Sequence, residues 1–226
     1  MNAWRNLTRV LAEGALPQRF SGYQREPILA LPKTIHFIWI GSPLPDKYRA
    51  NVVSYVRHNP TFAIHLWTDR ETAPVDGVTV QPITETVRIA SDLYYAEHNM
   101  GAKADIARYE IVHREGGIYC DIDSVALRPF DETFDTAFVP IELQTWKNVN
   151  NAIFGFPRGS TFLAFVLDCL RHTRSETMVE RRTGPTFFTT CFVSADDDRI
   201  RTLPHSVVNR DMASYTFHSN DANWLR

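Results

Sequence analysis

The sequence predicts an α/β domain whose sheet is mixed and mostly parallel, flanked by helices, and three observations carry that prediction. Residues 34–40 (TIHFIWI) are β-branched and aromatic, and the run stops at a turn cluster of Gly41, Ser42, Pro43 and Pro45. A helical pattern and a second short apolar run follow, the strand–helix–strand order that pairs strands in parallel. Farther on, a long helical stretch ends at Gly116-Gly117 and passes into another β-rich segment.

Bulk properties agree with one domain. The chain has 226 residues, enough to bury a core without disulfides or a structural metal. Its 24 Lys and Arg against 26 Asp and Glu leave a net charge of -2, which argues against a surface that gathers nucleic acid by bulk electrostatics; no nucleic-acid partner is expected. Cys120, Cys169 and Cys191 are odd in number and widely spaced, so neither a disulfide framework nor a zinc knuckle is indicated, and a reducing, cytoplasmic setting is expected. No run reaches the roughly 18 apolar residues of a membrane span. Arg5 and Arg9 interrupt the apolar start, which rules against a secretory signal, while Trp4, Leu7, Val10 and Leu11 fall at helical spacing. Residues 1–31 are therefore read as a short helix and linker, with weak peripheral contact at the inner membrane face as its alternative use, and residues 32–226 as the domain.

Taken in order, residues 17–32 hold Gly, Ser, Gln and three prolines and read as a linker. The first strand covers 34–40. A helix over 48–58 ends at Asn59-Pro60, and a strand over 63–67 closes on Thr68-Asp69. Ligand groups in such folds gather at the carboxyl ends of strands, where Gly41 and Asp69 fall. Apolar residues recur at helical spacing from 84 to 114 with an interruption near Asn99 and Gly101, so two helices or a broken one are expected. A single strand is predicted over 118–127, further strands over 137–143 and 152–156, a helix over 160–172, and strand and loop beyond Thr202. Glu180, Arg181 and Arg182 read as a solvated face.

The stretch Gly116-Gly117-Ile118-Tyr119-Cys120-Asp121-Ile122-Asp123 is the most informative. On a strand, Ile118, Cys120 and Ile122 face the core, while Tyr119, Asp121 and Asp123 share the other face. Two carboxylates about 7 Å apart repel when both are ionised, and a hard divalent cation relieves the repulsion. A DxD alone is more often two solvated aspartates. Context matters here: Asp105 and Arg108 stand three apart on the preceding helix, able to point together. Cys120 reads as a small buried hydrophobe.

Lys103–Tyr109 (KADIARY) followed by GGIYCDID resembles the DxD-containing sugar-transferase region of mannosyltransferases, bacterial capsule-type transferases and large clostridial glucosylating toxins. Residues 32–41 (PKTIHFIWIG) and 66–69 (LWTD) resemble the same family in the right order, so the likeness covers roughly residues 32–130. It implies a GT-A type nucleotide-sugar-binding fold, a UDP- or GDP-sugar donor, Mn²⁺ or Mg²⁺, a saccharide or lipid-linked acceptor as in polysaccharide biosynthesis, and transfer with retention. Under it, Trp39 lies against the base, Thr68 and Asp69 near base and ribose, and Asp105 on ribose or sugar. Arg108 meets phosphate or sugar, Tyr119 lines the pocket, and Asp121 and Asp123 reach the metal. His218 becomes the candidate third metal ligand, and Trp224, in the closing segment, reaches toward the diphosphate. Asn150, Asn151 and Thr183-Gly184-Pro185 line the pocket near the acceptor side, with Asn151 also a donor-binding residue. The chain lacks room for the toxins' large helical insertions, so their protein acceptors are not implied.

Other enzyme classes can be built from these residues. Asp121-Ile122-Asp123-Ser124-Val125 matches the nucleophile motif of haloacid-dehalogenase-type phosphatases, with Asp121 as nucleophile and Thr145, Lys147 and Asp197-Asp198 following. That assignment leaves Trp39, Asp105 and Arg108 without work. A nucleotide-sugar-binding module without turnover would keep the same residues. A glycosidase would need its two carboxylates on opposite sides of the scissile bond.

Overall fold

The computed structural model describes residues 23–141, 148–209 and 212–221. Residues 23–32 carry no regular element. Then come β1 (Thr34–Trp39), α1 (Asp46–His58), β2 (Ala63–Thr68), β3 (Val78–Pro82), α2 (Ser91–Ala96), α3 (Met100–Glu115), β4 (Gly117–Cys120), β5 (Ser124–Ala126), β6 (Phe138–Ile141) and β7 (Ile153–Phe156). The chain continues through α4 (Thr161–Cys169), α5 (Val179–Arg182), α6 (Pro185–Ala195), β8 (Arg201–Pro204), α7 (His205–Val208) and β9 (Thr216–His218).

Seven strands form one sheet in the order β3-β2-β1-β4-β7-β6-β8. β3, β2, β1 and β4 run parallel, β7 is antiparallel to β4 and β6, and β8 pairs parallel with β6. The mixed, mostly parallel sheet flanked by helices is thus as expected. Side-chain alternation divides two packed layers across it. Ile35, Phe37, Ile118, Cys120 and Ile153 join Tyr48, Val52 and Tyr55 of α1 on one side. Ile38, Tyr119, Phe154 and Phe156 join Ile106, Tyr109 and Val112 of α3, with Phe162 and Phe188, on the other. Both faces are covered, which is why the strands read as nearly continuous apolar runs.

The helical stretch from 84 to 114 is broken as expected. Asn99 caps α3, its side-chain oxygen accepting from the Ala102 amide at 3.0 Å, and Gly116 ends it at φ 68°. Gly117 follows at φ 106°, where an added Cβ would lie 2.5 Å from the Thr34 carbonyl oxygen. Close approach of β1 and β4 therefore requires glycine there.

One expectation is overturned. The single strand over 118–127 is two strands in different sheets: β4 ends at Cys120, the Ser124 amide bonds the Asp121 carbonyl in a turn, and β5 pairs antiparallel with β9. Propensity does not mark this break, because Ile122 and Val125 are as strand-prone as their neighbours. It is made by tertiary pairing with β9, nearly 100 residues away in the chain. The helix over 160–172 ends earlier as α4, with a 3₁₀ turn over Leu170–His172. Arg182 is not solvated: its Nε meets Glu97 Oε2 at 3.0 Å, with both side chains largely covered. α6, β3 and α7 were not anticipated. All three cysteines are free and buried. The expected helix over residues 4–11, and residues 142–143 of the expected strand, lie outside the described residues.

Candidate active site

α3 and the β4–β5 turn build the floor of a cleft at the carboxyl ends of β1 and β4. The cleft measures about 550 Å³ and is lined by Trp39, Gly41, Ser42, Met100, Ala104, Arg108, Tyr119, Asp121, Asp123, His218 and Asn220, among others. A smaller lobe of about 230 Å³ adjoins it, sharing Gly101, Arg108, Asp121, His218 and Asn220 and adding Asp105, Asn150, Asn151, Glu180, Gly184 and Pro185.

Arg108 is the hub. Its Nη2 lies 3.2 Å from Asp105 Oδ1 and 3.1 Å from Asp121 Oδ1, and its Nη1 donates to the Asn151 carbonyl at 2.8 Å. The guanidinium rests on the Tyr119 ring, 4.5 Å from its centroid, and the Tyr119 hydroxyl donates to Asp121 Oδ1 at 2.7 Å. Asp105 is anchored from both sides: Asn151 Nδ2 donates to Oδ1 at 3.0 Å, and the Thr183 hydroxyl to Oδ2 at 2.9 Å. Burial pushes the Asp105 carboxyl up to about 6 despite the opposing Arg108 charge. Burial likewise raises Asp121, again against Arg108.

Asp123 behaves differently. Burial would raise it, but the hydrogen bond and charge of His218 outweigh burial and hold it below the usual carboxylate range. His218 Nε2 donates to Asp123 Oδ1 at 2.8 Å and lies 3.8 Å from Asp121 Oδ2. That bond, against burial, raises the imidazole above its ordinary value. The Asp221 amide donates to Asp123 Oδ2 at 2.9 Å, and the Asp221 carboxylate meets Lys47 and the Tyr48 hydroxyl. The segment after β9 is thereby tied to both DxD and α1.

Ligand atoms of Asp121, Asp123 and His218 all lie within 4.8 Å of one another. His218 Nδ1 is buried without a hydrogen-bond partner. Two carboxylates and an imidazole in that space fit a divalent cation of the Mn²⁺ or Mg²⁺ kind.

Of the residues nominated from sequence, the structure brings Trp39, Asp105, Arg108, Tyr119, Asp121, Asp123, Asn151 and His218 to the cleft or its lobe. Thr68 and Asp69 are not among the lining residues. Thr68 is buried at the end of β2 beside Trp39 in register, and Asp69 Oδ1 accepts from the Gly41 amide at 2.9 Å, so it shapes the wall indirectly. Trp224, Thr145 and Lys147 lie outside the described residues. Asp197 is absent from the cleft lining; it accepts from the Tyr23 hydroxyl and the Glu26 and Arg199 amides, which removes support from the phosphatase assignment. Sequence reasoning missed Met100, Ala104 and Asn220. Ala104 could have been found as the neighbour of Asp105 four residues before Arg108, whereas Asn220, at φ 53°, is placed only by the turn after β9.

Residues 45–139 match the family described as the glycosyltransferase sugar-binding region containing a DXD motif. "Subversion of eukaryotic traffic protein A" of Legionella pneumophila is 31% identical over 140 residues, 54% of this chain and 22% of that protein. Inositol phosphoceramide mannosyltransferase 3 of Schizosaccharomyces pombe is 30% identical over 138 residues, 61% of this chain and 36% of that protein. The matches thus span well under half the length of these relatives. Among solved structures, the PaToxG glycosyltransferase superposes with a TM-score of 0.62 at 19% identity, over 84% of this chain and 77% of that one. The UDP-bound glycosyltransferase domain of the YGT toxin superposes at 0.63 and 10% identity, over 77% and 80%. The fold is therefore of GT-A type. Through residues 45–139, this chain is similar to the family of glycosyltransferases whose sugar-binding region contains a DXD motif.

Proposed function

We propose that the chain is a metal-dependent retaining glycosyltransferase moving a hexosyl group from a UDP- or GDP-sugar to a hydroxyl of a saccharide or lipid-linked acceptor. The observation that carries the reading is the convergence of Asp121, Asp123 and His218 within 4.8 Å, beside Arg108, on one cleft floor. Acids arranged that closely are chemically sensible where a cation is held, and a cation beside a guanidinium suits a leaving diphosphate. The UDP-bound neighbour supports a nucleotide-sugar donor, and the mannosyltransferase relative supports a lipid-linked acceptor.

Asp121, Asp123 and His218 would hold the ion; one imidazole among carboxylates suits Mn²⁺ better than Mg²⁺. When bound, it supplies positive charge against the charge growing on the departing diphosphate. Arg108 adds a second, preorganised positive group, fixed by Asp105, Asp121 and the Asn151 carbonyl. Trp39 offers its ring to the base. Its Nε1 donates to the Ser42 and Pro43 carbonyls at 2.9 and 3.1 Å, which fixes the indole plane. Asp69 keeps the adjoining Gly41 in place. The acceptor hydroxyl attacks the anomeric carbon on the leaving-group face, and its proton passes to the departing diphosphate oxygen.

We also assign the activity to the cytoplasm, with peripheral contact at the inner membrane face through the first residues. Among the described residues, no helix is long and apolar enough to cross a membrane.

A panel of UDP- and GDP-sugars with and without Mn²⁺ tests the reading by thermal shift. A donor at about 100 times its Kd stabilises the native state by roughly 2.7 kcal/mol, which raises Tm by several degrees. The Mn²⁺-dependent part of that rise is expected to vanish in Asp123→Ala. No response to any member of the panel with Mn²⁺ present would overturn the proposal.

A further inference from the structure

The groups that would neutralise the leaving diphosphate stand on the wall shared by the two cavities: Arg108, Asp121 and His218 line both. The bond broken in transfer therefore lies at that wall. The nucleoside diphosphate takes the larger cleft, where Trp39 stands, and the transferred sugar takes the lobe, whose about 230 Å³ against about 550 Å³ is the proportion of one ring to a nucleotide.

Most polar side chains of the lobe are already committed to the protein. Asn151 Nδ2 serves Asp105 and the Tyr109 hydroxyl. Asn150 Oδ1 accepts from the Ala152 amide and its Nδ2 meets His205 Nε2. Asp105 is held by Arg108, Thr183 and Asn151. Glu180 is the exception: it is half-buried, and its side chain makes no hydrogen bond or ion pair among the described residues. It is nonetheless rigidly mounted. Its short helix α5 is fixed by the Arg182–Glu97 ion pair, by the Thr183 hydroxyl on Asp105, and by the Tyr109 hydroxyl donating to the Thr183 carbonyl at 2.8 Å. Gly184 lets the chain fold back onto that helix, since a Cβ there would come 2.9 Å from Glu180 Cα.

We infer that Glu180 is a specificity residue that accepts hydrogen bonds from hydroxyls of the transferred sugar and selects neutral hexoses over uronic acids. This rests on the nucleotide-sugar reading above. A carboxylate with free lone pairs recognises hydroxyl donors, and in a confined lobe it repels a second carboxylate on the sugar. Of the lobe's basic side chains, Arg108 is already paired with Asp105 and Asp121 and His218 with Asp123, and the proposed ion would be held by Asp121, Asp123 and His218 to face the diphosphate.

Titrations of UDP, GDP, UDP-glucose, GDP-mannose and UDP-glucuronate with Mn²⁺ test this on the wild-type chain, Glu180→Gln and Glu180→Ala. The melting temperature of each unliganded variant serves as the folding control. Bare UDP or GDP is expected to bind all three proteins alike. The extra affinity of the neutral sugar nucleotide over its bare diphosphate is expected to fall roughly tenfold in both variants, while UDP-glucuronate binds them more tightly than wild type. If the neutral sugar's advantage is unchanged in both variants, or UDP-glucuronate gains nothing, Glu180 does not read the sugar. If the wild-type chain binds no nucleotide at all, the donor reading fails first, and the role of Glu180 with it.

Discussion

Arg108 shows how one residue sets the electrostatics of the cleft. It is almost fully buried, which costs several kcal/mol for an isolated cation, and it is tolerated because Asp105, Asp121 and the Asn151 carbonyl satisfy it. Removing it would leave two buried carboxylates facing each other, a loss of about 3–5 kcal/mol, so Arg108→Ala confounds folding with chemistry. Arg108→Lys is the cleaner variant. It keeps the charge but cannot bridge three partners with planar, directed donors. Its kcat is expected to fall by about 10²-fold, with Tm lowered by only several degrees because the buried charge is kept while one or two directed bonds are lost, measured by steady-state transfer or donor hydrolysis beside a melting curve. A wild-type kcat would remove Arg108 from the leaving-group role. The pairing of Arg108 with Asp105 was legible from a spacing of three residues on a helix. Its bond to the Asn151 carbonyl was not, because Asn151 arrives from a segment 43 residues later.

At the scale of elements, β1 and β4 carry both the core and the cleft. The two aspartates of the DxD were expected to meet through strand alternation, but they meet because β4 ends and turns toward β9, which also delivers His218 opposite Ser124. The residue types were thus readable, and the reason for their proximity was not. β1 also buries His36, whose Nδ1 accepts from Trp67 Nε1 at 3.1 Å while Nε2–H donates to the Gly116 carbonyl at 2.8 Å. Only the neutral ring satisfies both bonds. Burial, with nearby His65 in the same sense and against the Gly116 bond, lowers its pKa from 6.5 to about 4. As pH falls below about 6.5 the unfolded chain takes up a proton that the folded chain refuses. Stability therefore declines down to about pH 4, where the loss levels off at about 3 kcal/mol. Urea unfolding at pH 7.5, 6 and 5 should show this decline, and it should flatten in His36→Gln, whose amide can donate and accept in the same places without titrating. An unchanged pH slope in that variant would assign the acid sensitivity elsewhere.

For the molecule as a whole, the two core layers are closed at one end by the segment before β1. Glu26 is fully buried, and its Oε2 accepts from the Ser160 and Thr161 hydroxyls and the Phe162 amide at the start of α4. Tyr23 packs on Phe165, and Leu31 belongs to the core on the opposite side of the sheet. Glu26→Ala is expected to cost about 2 kcal/mol, because it strips the α4 N-terminus of its acceptor and leaves three donors short of a partner. Deleting residues 1–31 is expected to cost more than that single substitution. Melting curves of both variants check this; equal Tm values for the deletion and wild type would place the folding unit entirely after residue 31. Glu26 sat unremarked in a Pro-rich stretch, since nothing local shows that a carboxylate will meet a helix 134 residues away.

The sequence by itself determined the α/β class, the parallel run of strands, the broken helix and most of the residue types gathered in the cleft. Strand period, helix spacing and turn chemistry are local, so they are written within a few residues of where they act. Tertiary structure decided which strands pair, where β4 stops, that Glu180 lines a cavity, and that Thr68 and Asp69 are not among the residues lining the cleft. Those outcomes depend on contacts between distant segments, and no short window of sequence holds both partners of such a contact.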